Sequence, residues 1–131
     1  MELLLISHGK FSYGIKESYE MIVGENDKIH SLSLDDEGME EFSKKLNSTL
    51  KELTSNGKVL VFTDIQGGTP YNQALRFKLE NPDAIEIVSG MNLPMVVEAG
   101  MNLDSDISCE ELAEMSKNTG EKSIITTKLN N

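Results

Sequence analysis

Four apolar residues in a row, Leu3-Leu4-Leu5-Ile6, give way abruptly to Ser7-His8-Gly9. The run is too short for a helix and lacks polar alternation, so it predicts a strand buried on both faces that ends in a loop. Val59-Leu60-Val61-Phe62-Thr63 repeats the pattern and ends in Asp64-Ile65-Gln66-Gly67-Gly68-Thr69-Pro70. Between the two, Ile15, Tyr19, Ile22 and Val23 recur at helical spacing, with Ser12 as a candidate N-cap and Gly24 as a stop. Positions 28–34 alternate imperfectly, as in a partly covered strand, and contain His30. Met39, Phe42, Leu46, Leu50 and Leu53 then mark one face of a long helix closed by Asn56-Gly57.

The second half continues the alternation. Thr69-Pro70 opens a helix carrying Tyr71, Ala74, Leu75 and Leu79, with the threonine hydroxyl expected at the N-cap and proline in the first turn; Asn81-Pro82 ends it. A short strand is expected at 84–88, followed by the loop Ser89-Gly90-Met91-Asn92 and a helix over 93–101 with Pro94 in its first turn. Ser108 and Glu111 form a capping box for a helix reaching about Asn118, with Gly120 as its stop. Positions 123–127, Ser-Ile-Ile-Thr-Thr, have the β-branched composition of a strand. The order predicts an α/β three-layer sandwich: a central, mainly parallel sheet built from β-α repeats and covered on both faces by right-handed crossovers. The last strand is expected at an edge, antiparallel or swapped into a second copy.

With 131 residues the chain fits one domain, 1–131. A net charge of -10 argues against nucleic acid, which needs clustered Lys and Arg, and against an anionic membrane. The single Cys109 has no internal disulfide partner and no export signal opens the chain, so a cytoplasmic protein is expected. No apolar run approaches the roughly 20 residues of a membrane-spanning helix.

The candidate chemistry lies at strand ends. In open α/β sheets, ligands gather beyond the carboxyl ends of the strands, where both His8 and Asp64 are expected. If the two strands are parallel neighbours, Asp64 accepts a hydrogen bond from Nδ1 of His8 and leaves Nε2 free to attack. Gly9 would allow close approach. The turn Gly67-Gly68-Thr69-Pro70 opens a helix, and its N–H groups suit an anion, a phosphoryl group being the obvious one. It lacks the lysine of a P-loop, and the Rossmann fingerprint is missing too, which disfavours nucleotides. Duller readings stand beside these: His8 as a satisfied loop residue, Asp64 as a cap, and the glycine pair as a tight turn. His30 is expected to be structural or exposed, and two histidines on separate elements make no metal site. Ser7 lacks the surroundings of a hydrolase nucleophile. Cys109, beside Glu110 and Glu111, is expected to be inert.

Leu5-Ile6-Ser7-His8-Gly9, Thr63-Asp64-Ile65-Gln66-Gly67-Gly68-Thr69-Pro70-Tyr71-Asn72 and Ser89-Gly90-Met91-Asn92-Leu93-Pro94-Met95 together resemble the enzyme IIA component of the mannose-type sugar phosphotransferase system. The resemblance implies that His8 is phosphorylated, that Asp64 orients it, and that the Thr69 turn and the Asn92 loop border the phosphoryl group. It also implies a homodimer without a cofactor, and a relay in which the phosphocarrier HPr phosphorylates His8 and a IIB component accepts from it. In that relay sugar is phosphorylated later, at the membrane, and the link to the membrane components IIC and IID is indirect. Lys10-Phe11-Ser12-Tyr13 is bulkier than the corresponding loop of that family, and the IIB domain sometimes fused behind IIA is missing. Two rivals remain: the phosphotransferase subunit that feeds dihydroxyacetone kinase, whose second motif lacks Gly-Gly-Thr-Pro, and a regulatory module in which phosphorylated His8 is a signal.

Overall fold

The computed structural model describes residues 1–129. Along them run β1 (Glu2–His8), α1 (Phe11–Ile22), β2 (Ile29–Leu34), α2 (Met39–Thr54), β3 (Val59–Thr63), α3 (Thr69–Glu80), β4 (Ile85–Ser89), α4 (Leu93–Gly100) and α5 (Cys109–Lys122). The strands form one parallel sheet in the order β2-β1-β3-β4. The chain steps outward from β1 to β2, returns to β3 on the other side of β1, and continues to β4. The direction of travel therefore reverses between β1 and β3, and the crevice above their carboxyl ends is the switch point of the sheet.

Alternation along the central strands explains the unbroken apolar runs. Leu3, Leu5, Leu60 and Phe62 pack with residues of α1, α4 and α5, including Tyr19, Val96 and Leu112. Leu4, Ile6, Val59 and Val61 face the other way, onto Phe42, Leu46 and Leu50 of α2 and Phe77 of α3. Both faces of β1 and β3 are thus interior, and each fully buried Leu, Ile or Val contributes about 1.5–3 kcal/mol. No helix among the described residues is long and apolar enough to cross a membrane.

Several boundaries differ from those the sequence predicts. Ser12 is no N-cap: Lys10 holds that position, and Ser12 lies buried within the first turn of α1. Likewise Gly68 caps α3 and Thr69 is its first residue. That helix buries Pro70, Ala74 and Phe77, while Leu79 is largely exposed. The row through Tyr71, Leu75 and Leu79 has the same helical spacing, so periodicity alone could not choose between the two faces.

The largest departure is at the carboxyl terminus. Ser108 Oγ accepts the Glu111 N–H as expected, but α5 runs through Gly120 to Lys122. Gly120 is a packing residue, not a stop: a Cβ there would meet Asn92 Oδ1 at 3.1 Å and Met95 at 3.3 Å. With the helix extended, Ser123 becomes its C-cap, and residues 124–129 pair with no strand of their own chain. The expected terminal strand is therefore not part of this sheet, and the outer edge of β4 is left without a neighbour among the described residues.

A second close approach joins α1 to α4. A Cβ on Gly100 would lie 2.5 Å from the buried ring of Tyr19. Gly100→Val is expected to overpack this contact and lower stability by about 1–3 kcal/mol in urea unfolding. Unchanged stability would show that the ring can move aside.

Candidate active site at the switch point

Register brings the two strand ends together. Ile6 pairs with Thr63, so β1 and β3 finish at nearly the same level, and His8 and Asp64 meet although 56 positions apart. Asp64 Oδ2 accepts the backbone N–H of His8 at 2.8 Å and contacts its Nδ1 at 2.8 Å. Oδ1 accepts the N–H of Ile65 at 2.9 Å. An ionised carboxylate can only accept, so Nδ1 carries a proton, and in the neutral form of the ring Nε2 is the nitrogen with the free lone pair. Partial burial pushes the Asp64 carboxyl upward, but the hydrogen bonds from His8 and Ile65 outweigh it and hold the group below the usual carboxylate range. Exposure divides the pair: the His8 side chain is 46% accessible and that of Asp64 only 14%. This arrangement presents the outer edge of an oriented imidazole to solvent, with a shielded carboxylate behind it.

The turn that carries Asp64 is fixed from within. Thr63 is fully buried, its hydroxyl donates to the Ile65 carbonyl at 3.0 Å, and its own carbonyl accepts from Gly90 and Met91 at 3.0 Å each. Gly67 adopts φ +89, which an L side chain rarely allows, and the Asn72 carboxamide donates to its carbonyl at 3.3 Å. Gly68 lies directly against the imidazole: a Cβ there would stand 2.5 Å from His8 Cε1 and 3.0 Å from Nε2. The first N–H to close a turn of α3 is that of Asn72, onto Gly68 at 2.8 Å. The amides of Thr69 and Tyr71 precede that bond, at the positive end of the helix dipole, where an anion is favoured.

The other residues singled out in the sequence fall as follows. Gly9 has φ +57, and a Cβ there would meet nothing within 4 Å. That φ suits the chain reversal after β1, and the close contact with the imidazole within the protein is made by Gly68. Thr69 is half-buried at the start of α3. Asn92 caps α4, its Oδ1 accepting the Met95 N–H at 3.2 Å, and its Nδ2 donates to the Gly120 carbonyl at 3.0 Å. That carboxamide is engaged with α4 and α5. His30 bonds Glu2 Oε1 at 2.7 Å, toward the opposite end of β1. Cys109 is buried, and burial first, then Glu86 and Glu110, push its thiol up to about 11, so it stays protonated at neutral pH. Sequence reasoning overlooked Thr63, whose hydroxyl fixes the Asp64 turn. The available signal was a hydroxyl at the last strand position before a carboxylate.

Comparison with known proteins identifies the family. Residues 2–117 match the family model EIIA-man, described as the phosphotransferase system (PTS) fructose IIA component. The chain is 31% identical over 113 residues to the PTS fructose-specific EIIA component of Bacillus subtilis, covering 86% of this chain and 76% of that protein. It is 33% identical over 106 residues to the sorbose-specific EIIA component of Lacticaseibacillus casei, covering 80% and 75%. The solved mannose/sorbose-specific IIA subunit from Enterococcus faecalis superposes with a TM-score of 0.87 at 33% identity, over 99% of this chain and 96% of that one. The chain belongs to the mannose-type family of phosphotransferase-system IIA components.

Proposed function

We propose that this protein is a cytoplasmic phosphocarrier that accepts a phosphoryl group from phosphorylated HPr on His8 Nε2 and passes it to a histidine of a IIB component for sugar uptake, with only an indirect link to the IIC and IID membrane components. The observation that carries the reading is the double engagement of Asp64 Oδ2, which holds both the main chain and the ring of His8 at 2.8 Å. The Nε2 lone pair attacks phosphorus, the N–P bond of the donor breaks, and the donor imidazole leaves with the electron pair. The proton on Nδ1 stays in place. Positive charge that builds on the His8 ring during attack is met by Asp64, and the phosphoryl oxygens meet the turn of Gly67, Gly68 and Thr69. Catalysis of this kind is mainly positioning and charge stabilisation.

The same reading includes a homodimer. Beside the free edge of β4 lies a groove of about 570 Å³, bordered by Ile87, Val88, Ala113, Lys117 and Ile124. Ile124 and Ile125 are more than three-quarters exposed in the single chain. An unpaired edge and an exposed apolar segment are both liabilities, and pairing residues 124–129 of one copy along β4 of another relieves both.

Three outcomes test the proposal. Incubation with phosphoenolpyruvate, enzyme I and HPr is expected to place one acid-labile phosphate on the wild type and none on His8→Ala, read by mass spectrometry; label surviving in the variant would sink the assignment. Asp64→Asn is expected to fold, because the amide is nearly isosteric, yet to transfer phosphate about 10²–10⁴-fold more slowly. Wild-type rates in that variant would reduce Asp64 to a cap. Light scattering is expected to find a dimer for the intact chain and a monomer for a chain truncated after Ser123. A truncated chain that still dimerises would remove the terminal segment from the interface.

A further inference from the structure

We infer that Ser7 is a positioning residue for the phosphorylation of His8, acting from the opposite face of the sheet through the carbonyl of Gly9. The inference rests on the reading of His8 as the phosphate acceptor. Because side chains alternate along a strand, His8 joins Leu4 and Ile6 on the α2–α3 side, whereas Ser7 joins Leu3 and Leu5 on the α1 side. Ser7 is fully buried, where an unbonded hydroxyl would be costly. Its Oγ donates to the Gly9 carbonyl at 3.1 Å and accepts the Ser12 N–H at 2.8 Å.

Both bonds land on groups that nothing nearer in the chain satisfies. Helix α1 has no side-chain cap at Lys10, so a hydroxyl five residues upstream takes the place of the usual N-cap acceptor. Gly9 sits at φ +57, the residue most free to reorient after His8, and its N–H is held by the Leu34 carbonyl at 2.7 Å. With Ser7 on the carbonyl, Leu34 on the N–H and Asp64 on the His8 N–H, the main chain on both sides of the imidazole is fixed. The hold extends further: Ser12 Oγ donates to the Leu32 carbonyl at 3.0 Å, and Ser31 Oγ donates to the Ser12 carbonyl at 2.9 Å. Three serine hydroxyls thus tie the end of β1 to the first turn of α1 and to β2.

The orientation of one peptide has an electrostatic effect at the site. Ser7 draws the Gly9 carbonyl oxygen toward the α1 face, away from the face that carries His8. Across the same trans peptide the Lys10 N–H is directed the opposite way. Without the Ser7 hydroxyl this peptide is free to turn over, which would bring a carbonyl dipole toward the incoming phosphoryl anion and loosen the His8 main chain.

The test compares Ser7→Thr with Ser7→Val, two side chains of the same shape that differ in the hydroxyl. Phosphoryl uptake by His8 is measured with phosphoramidate, a small chemical donor whose N–P bond breaks with release of ammonia, so no partner protein enters the readout. Ring nitrogen NMR of His8 is recorded in parallel. Thr is expected to take up phosphate near the wild-type rate and Val about tenfold more slowly per folded molecule, the scale of one lost hydrogen bond. Val is also expected to show a weakened preference for the Nδ1–H tautomer as the loosened main chain of His8 lets its ring drift from Asp64, which a purely structural role would leave unmoved. Equal rates and equal ring signals in the two variants would overturn the inference. Failure of the wild type itself to take up phosphate on His8 would instead overturn the reading on which it rests. Should Val not fold, Ser7→Ala at low temperature is compared with the wild type and read in the same way.

Discussion

The site depends on one carboxylate oxygen. Asp64 Oδ2 accepts two hydrogen bonds from a single residue on a neighbouring strand, one from its main chain and one from its ring. A carboxylate this shielded would be destabilising if left bare, and charge-assisted bonds worth about 1.5–3 kcal/mol each offset that cost. The same contacts fix the tautomer of the imidazole, so fold stability and nucleophile preparation draw on the same atoms. The pairing exists only because β1 and β3 are adjacent and end at one level, and that follows from the reversal of strand order between them.

Around that oxygen the fold removes freedom by means of small hydroxyls. Thr63 under the Asp64 turn is buried and bonded to main chain two residues away. Ser7 behind His8 does the same for the Gly9 turn. Neither touches the reacting nitrogen. Gly68 completes the enclosure by leaving room for the ring edge, since any side chain there would occupy the space of Cε1. The His8 imidazole is therefore held by its own ring bond, by its main chain, and by a steric wall that requires glycine. Loops often carry function on rigid scaffolds, and these two are stiffened where they leave the sheet.

Much of this was legible in the sequence because it rests on local signals. Two apolar runs ending in His and Asp identify central parallel strands, and register does the rest. What escaped was set by tertiary contacts that periodicity does not encode. Gly120 reads as a helix stop until α4 is seen packed against it, and α5 therefore runs on to Lys122. Ser12 and Thr69 have the chemistry of caps, but the main chain places the caps at Lys10 and Gly68. The two rows of α3 have equal helical spacing, and only the position of the sheet decides that Phe77 is interior and Leu79 is not. That Gly68 lies against the imidazole is likewise a tertiary contact that the local pattern does not encode.

The uneven exposure of the pair fits a relay better than a self-contained reaction. An enzyme that completes its chemistry on a small substrate gains by closing the site over it. Here the imidazole stands nearly half accessible at the rim while its orienting carboxylate is shielded below, so a second protein can bring its own phosphorylated group to Nε2 without a lid having to open. Beside the imidazole, the start of α3 offers neutral amides on a turn that Asn72 holds. Such donors stabilise a phosphoryl group in transit, yet they lack the full positive charge that would bind it tightly. A protein with the proposed carrier role must release what it accepts, and amides, one imidazole and one shielded anion would keep both directions accessible.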